Sequence, residues 1–272
     1  MKTLKNHLIL FDAECPMCKM YTQSFVSLGI LEKNGRTAYQ ELPQEACPML
    51  DRQRAVNEIA IVNQETGEVT FGIESLFKIF SVAIPLLKPL FNFSPFVWLM
   101  SKVYAFVSYN RRVIVPPSAE EGGLQPTFRL RYRIAYLIFT WGITAYILSA
   151  YANTMNGLLP EAPFYREYLI CGGQILFQGM VVSFVSRQKR WEYLGNMMTI
   201  SFAGALLLLP GLLLSKLFDM NAICYAAWFM FVAGLMFLEH IRRTRLLSLG
   251  WTLTISWFTY RLLVLSFILL NQ

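Results

Sequence analysis

Two cysteines, Cys15 and Cys18, stand in the run Phe11-Asp-Ala-Glu-Cys-Pro-Met-Cys18. If that run opens a helix, the two thiols lie one turn apart on one face, near enough to close a disulfide. Pro16 suits a first helical turn, where its missing N–H costs nothing. Cys15 then falls at the N-cap, and unpaired backbone N–H groups together with the positive end of the helix dipole favour its thiolate. Thiolate is the species that attacks a disulfide, so the Cys15 pKa is expected below the free value of about 8.5. The pattern makes Cys15 the nucleophile and Cys18 the resolving thiol of a redox-active Cys15–Cys18 disulfide. Asp12 is a third candidate catalytic residue, able to assist proton transfer from Cys18. This chemistry needs no cofactor beyond the pair, and its substrate is a protein or small-molecule disulfide.

The same thiols could hold a soft metal ion. Zinc takes four ligands. The N-terminal half adds only Cys47 and His7, and His240 lies far along the chain. Copper could use Cys15 and Cys18 with Met17, Met20 or Met49. A c-type haem is excluded, because Lys19 rather than His follows Cys18. The competing reading is a non-enzymatic metal-handling or structural membrane protein that uses the pair as ligands.

The elements around the pair follow from pattern. His7–Phe11 is a short apolar run that suits a buried strand. A helix is predicted from Pro16 to about Leu31, a strand over Thr37–Leu42 and a polar helix over Gln44–Arg54. Glu58–Asn63 and Glu68–Phe71 form a hairpin around Gln64-Glu-Thr-Gly67, and Ile73–Ala83 is a helix. The order strand, helix, strand, helix, strand, strand, helix is that of a thioredoxin-type α/β core, with the Cys pair at the strand-to-helix junction where redox motifs sit.

The residues Asp12, Cys15 and Cys18 resemble the Asp-x-x-Cys-x-x-Cys opening of the DCC family of thiol-disulfide oxidoreductases. Val69–Leu76, with Gly72 before Glu74-Ser-Leu76, is similar to that family's strand-Gly-helix segment. The Pro-broken apolar stretch Ile84–Val107 and Tyr109-Asn-Arg-Arg112 match the end of its domain. The resemblance covers residues 5–115. It implies a thioredoxin-like fold and disulfide exchange. Ala13 departs from the family's usual Gly. Many thioredoxin relatives carry a cis-Pro before the third strand, where Val56-Asn-Glu58 stands here, so the docking surface is expected to differ.

Residues 1–115 are thus read as a redox domain with helices of Phe77–Val107 lying on it or in the membrane interface, cut by Pro85, Pro89 and Pro95. A linker covers 116–128, with Ser118, Gly122 and Gly123. Residues 129–272 form an all-α transmembrane bundle. Five apolar stretches are long enough to span about 30 Å of hydrocarbon: Ile134–Asn153, Tyr168–Ser186, Leu194–Ser215, Ala222–Leu238 and Leu249–Leu270. Pro210-Gly211 predicts a kink or a frayed end in the third. The chain carries a net charge of +7, with 55% apolar and 15% charged residues. Its basic residues sit in short runs between spans, which excludes a nucleic-acid face. The runs Arg129-Arg131-Arg133, Arg187-Lys189-Arg190 and Arg242-Arg243-Arg245 alternate with loops poorer in basic side chains. The positive-inside rule then places the N-terminal domain in the cytoplasm and the C-terminus outside, as in a bacterial inner-membrane protein. The opening residues do not read as a signal peptide. The bilayer is the expected partner of this half.

Inside the spans, Arg261 is the only charge placed deep, about 14 Å from the end of its helix. It is expected to turn inward toward Gln174 and Gln178, which share a face of the second span, so that the second and fifth spans pack together. Cys171 and Cys224 fall near the outer ends of their spans and form a pair only if the second and fourth helices touch. Glu239-His240 is read as an interfacial cap.

Overall fold

The computed structural model describes residues 2–42, 50–117, 125–160, 163–218 and 221–270. The chain divides into two units, residues 1–132 and 133–272. Much of the expected Gln44–Arg54 helix, including Cys47 and Met49, and residues 118–124 of the expected linker lie outside the described residues.

The first unit runs β1 (His7–Phe11), α1 (Pro16–Ser27), β2 (Arg36–Ala38), a single 3-10 turn over Tyr39–Glu41, α2 (Arg52–Asn57), β3 (Ala60–Asn63), β4 (Val69–Phe71) and α3 (Ile73–Ala83). The strands form one mixed sheet in the order β2-β1-β3-β4. Only β1 and β2 are parallel; β1 pairs antiparallel with β3, and β3 with β4. Alternate side chains of β1 point to opposite faces. Ile9 packs with Phe25, Ile61 and Ile79, whereas Leu10 packs with Ala55 and Ala60. Both are fully buried, so the first strand lies at the centre of the fold with its C-terminal end carrying the Cys pair.

Three boundaries differ from expectation for local reasons. Helix α1 stops at Ser27 because Gly29 takes a left-handed φ of 68°, the usual way to end a helix. The second strand is short, since Tyr39 turns into a 3-10 turn and its ring is buried. The expected linker is partly structural: Thr127 N–H donates to Asn57 Oδ1 at 2.7 Å, and Gln53 donates to Thr127 Oγ1 at 3.2 Å.

After α3 the prolines divide the chain into a 3-10 turn (Pro85–Leu87), α4 (Lys88–Phe91) and α5 (Ser94–Ile114). The break before α5 bends the path by 92°. The second half of α5 buries Ser108, Asn110, Arg111 and Val113, while its first half exposes Trp98, Leu99 and Val103.

The second unit contains α6 (Leu130–Ala152), α7 (Arg166–Val185), α8 (Arg190–Ser215), α9 (Ala222–Leu246) and α10 (Thr252–Leu270). All five helices are long and apolar enough to cross a membrane. Helix α8 packs on α7 and α9, and α10 packs on the same two. Side chains tie in α6: Tyr136 meets Thr199 at 2.7 Å, and the Tyr151 hydroxyl donates to the Tyr225 carbonyl at 2.9 Å. The outer surface exposes Leu176, Phe184 and Leu263 while Gln178, Thr140 and His240 are buried. That inversion of the soluble pattern belongs to a chain whose surroundings are lipid. Helix α8 stays helical through Pro210 to Ser215, so its end is not frayed at Pro210-Gly211. Helix α9 continues to Leu246, two turns past the expected end of its span.

Candidate redox site and the polar interior of the bundle

The loop after β1 sets the Cys pair. Cys15 N–H donates to the Asp12 carbonyl at 3.1 Å, and Cys15 itself, in extended conformation, caps α1. Its Sγ accepts the Cys18 N–H at 3.3 Å. The Cys15 pKa is lowered to about 7. The largest cause is the hydrogen bond that the Cys18 thiol donates to it; burial opposes this, and the Arg111 guanidinium and the Cys18 N–H add to the lowering. Cys18 is pushed well above its ordinary value, first by donating to Cys15 and then by burial, against the pull of Arg111 and of the Tyr21 hydroxyl. The two thiols are therefore unequal in the sense expected from their places on the helix, although a hydrogen bond between them outweighs the backbone.

Both thiols are covered. Cys15 is 1% exposed and Cys18 5%. Phe11 and Ala38 pack against them, with Ala13, Met17 and Tyr21 around the edge.

Asp12 is almost fully buried, and both its carboxylate oxygens are engaged. Oδ2 accepts from Arg111 at 2.9 Å and from Arg112 at 3.4 Å. Oδ1 accepts from the Glu14 N–H and from Gln40 Nε2, each at 3.0 Å. A carboxylate so held anchors the loop that carries Cys15, and this geometry suits positioning better than proton transfer. Arg111 also donates to the Val56 and Asn57 carbonyls. The same segment gives its Ile59 N–H to the Tyr104 hydroxyl at 2.9 Å and accepts from Ser108 at Asn57. Helix α5 thus satisfies backbone groups of the segment from Val56 to Ile59. Arg112 continues to Glu14 at 2.9 Å. Sequence reasoning gave no role to Arg111, Arg112, Gln40, Tyr21 or Tyr104. The available signal was a pair of arginines, Arg111-Arg112, ending an otherwise apolar helix.

Among the described residues, no group of three His, Cys, Asp or Glu side chains is placed to hold a metal ion. His7 is engaged locally, with Nδ1 2.6 Å from the Lys5 carbonyl. Met20 is exposed, and Met17 packs beside the pair.

In the bundle, α7 and α10 pack together as expected. Gln178 is the link: its Nε2 donates to Ser256 at 3.2 Å and its Oε1 accepts from Tyr193 at 2.8 Å. His240 is not an interfacial cap. It is 1% exposed, stacks on Trp257 and lies 3.1 Å from both the Tyr193 hydroxyl and Thr254 Oγ1. Glu239, next to it, pairs instead with Arg242 and Arg243. Arg261 turns inward, but its guanidinium donates to Ser201 at 3.4 Å and lies 4.1 Å over Trp257 rather than bonding either glutamine. Cys171 lines an internal cavity with Gln174 and Arg261, whereas Cys224 is exposed, and both are free thiols.

Comparison with family models, with curated proteins and with solved structures found no match to this chain.

Proposed function

We propose that this chain is a membrane-tethered thiol-disulfide oxidoreductase of the DCC type, with a thioredoxin-like N-terminal domain. The observation that carries the reading is Cys15 at the N-cap of α1, ionising near 7 beside the buried Arg111, with Cys18 one turn behind it. The β2-β1-β3-β4 order, with β1 at the centre and the pair at its end, supports the thioredoxin-like part.

The steps follow from the charges. The Cys15 thiolate attacks one sulfur of a substrate disulfide, forming a mixed disulfide and releasing the other sulfur as thiolate. Cys15 is then neither a charge nor the acceptor of the Cys18 S–H. Two of the causes that hold the Cys18 pKa up are lost, while Arg111 and the Tyr21 hydroxyl still favour its thiolate. Cys18 gives its proton to the departing thiolate and attacks Cys15 Sγ. The second substrate thiolate leaves, and the pair has passed two electrons to the substrate. A second dithiol must reduce the Cys15–Cys18 disulfide to restore the enzyme.

Trapping tests this. With Cys18→Ser, a small symmetrical disulfide such as cystamine should remain attached to Cys15, and a bulky aromatic disulfide should react at least tenfold more slowly because the sulfur is covered. No adduct on Cys15 with either reagent would overturn the reading.

The alternation of basic loops supports a cytoplasmic N-terminal domain and an outer C-terminus, in an inner membrane of bacterial type. A phosphatase reporter that folds only outside should be active when fused after Gln272 and silent when fused before Met1. Activity only in the N-terminal fusion would reverse the orientation.

A further inference from the structure

The five helices of the second unit line a partly open cavity of about 50 Å³, room for roughly three waters or a small anionic group. Each of the helices α6 to α10 contributes to its wall. Three polar atoms on that wall are buried without a hydrogen-bond partner: Thr144 Oγ1 from α6, Gln174 Nε2 from α7 and Arg261 Nε from α10. Thr144 is 2% exposed and Gln174 6%. The remaining wall is mostly apolar, formed by residues such as Leu208, Phe229 and Val232.

The three orphaned atoms have one chemistry in common. Gln174 Nε2 and Arg261 Nε can only donate, and Thr144 can donate. The guanidinium stays protonated, and among the described residues no carboxylate lies within ion-pair distance of it. Two carboxylates of this unit are taken: Glu167 by Arg166, and Glu239 by Arg242 and Arg243. A positive charge inside a membrane bundle is costly, and here the Ser201 hydroxyl and the Trp257 ring answer it while Nε stays without a partner.

We propose that this cavity is a binding site for a monocarboxylate, its oxygens held by Arg261, Gln174 and Thr144. A guanidinium edge presents N–H groups at the spacing of a carboxylate's two oxygens, which favours this group over a spherical anion. The carboxylate could belong to a small soluble acid or to a fatty acid whose chain follows the apolar wall. The site lies in the second unit and does not depend on the chemistry proposed for Cys15.

The test uses the full chain in a non-ionic detergent, with radiolabelled acetate and oleate in equilibrium binding. Saturable binding of about one acid per chain is expected. Arg261→Gln and Gln174→Leu should each weaken it at least tenfold, and exposed Leu176→Ala should leave it unchanged. Thr144→Val, which keeps the side chain's size and removes its hydroxyl, should weaken it too, and this variant keeps the test valid if Arg261→Gln fails to fold. Acetate binding that oleate does not displace identifies a soluble acid; oleate binding that acetate competes identifies a fatty acid. No saturable binding of either acid, binding undiminished in Gln174→Leu and Thr144→Val, or tighter binding of chloride than of both acids would overturn the proposal.

Discussion

Replacing Arg111 by leucine should destabilise the N-terminal unit by about 3–5 kcal/mol, the usual cost of leaving one member of a buried ion pair alone. Asp12 has a side chain only 1% exposed, and Arg111 lies 2.9 Å from it. Arg111 also holds the Val56 and Asn57 carbonyls, so its removal leaves three buried acceptors short of a donor. The effect is read on the full chain as the urea concentration at which Cys15 and Cys18 become open to alkylation, and that midpoint should fall sharply. Asp12→Leu with Arg111→Leu should cost less than the two single changes added together, because neither charge is then left unpaired. Arg111→Lys should recover only part of the loss, since one ammonium cannot reach the carboxylate and two carbonyls in the planar fork of a guanidinium. A midpoint unchanged in Arg111→Leu would mean that Asp12 is not held as described.

The rate of alkylation of Cys15 by iodoacetamide should rise with pH through a midpoint near 7, below that of a free thiol. Cys18→Ala should move the midpoint up, because it removes the hydrogen bond that is the largest cause of the lowering. Cys18→Ser, which keeps an O–H donor, should move it less. The sign for stability follows. Cys15 has a folded pKa below its unfolded one, so the stabilisation from its thiolate is present above the unfolded value and is lost as pH falls through about 7. Cys18, whose folded pKa is raised, acts in the opposite sense only once the pH exceeds its own unfolded value. A single midpoint near 9 in both wild type and Cys18→Ala would leave Cys15 an ordinary thiol.

Much of the frame was legible because it rests on local signals. The bounds of β1 and α3 are read from a short apolar run and from Gly72, whose φ of 64° needs a residue without Cβ. Cys15 at the N-cap follows from Pro16 alone. The five apolar helices follow from length and composition. The site's electrostatics were not legible, because they come from contacts far apart in sequence. Arg111 meets Asp12 across 99 positions, and nothing local to either residue announces the other. The burial of Cys15 has this origin in part, since Ala38 reaches it from β2 while Phe11 covers it from close by in the chain. In the bundle, the end of the fourth span was placed at the first charge, Glu239. The helix continues to Leu246, and that extra length carries His240 against Tyr193 and Trp257. Arg261 was correctly turned inward by its depth. Its neighbours depend on the rotation of α8, which no periodicity within α10 records.

The most direct measurement is a redox titration of the Cys15–Cys18 pair in the full chain, equilibrated in dithiothreitol buffers and read by mass after alkylation. The account predicts one two-electron transition in which both thiols disappear together, with a slope of about 30 mV per tenfold change in the ratio. It also predicts the same potential with and without a metal chelator, and no transition in Cys15→Ser. A pair that never closes at any accessible potential, or that is protected from oxidation until the chelator is added, would contradict the assignment and point to a metal-holding or purely structural pair.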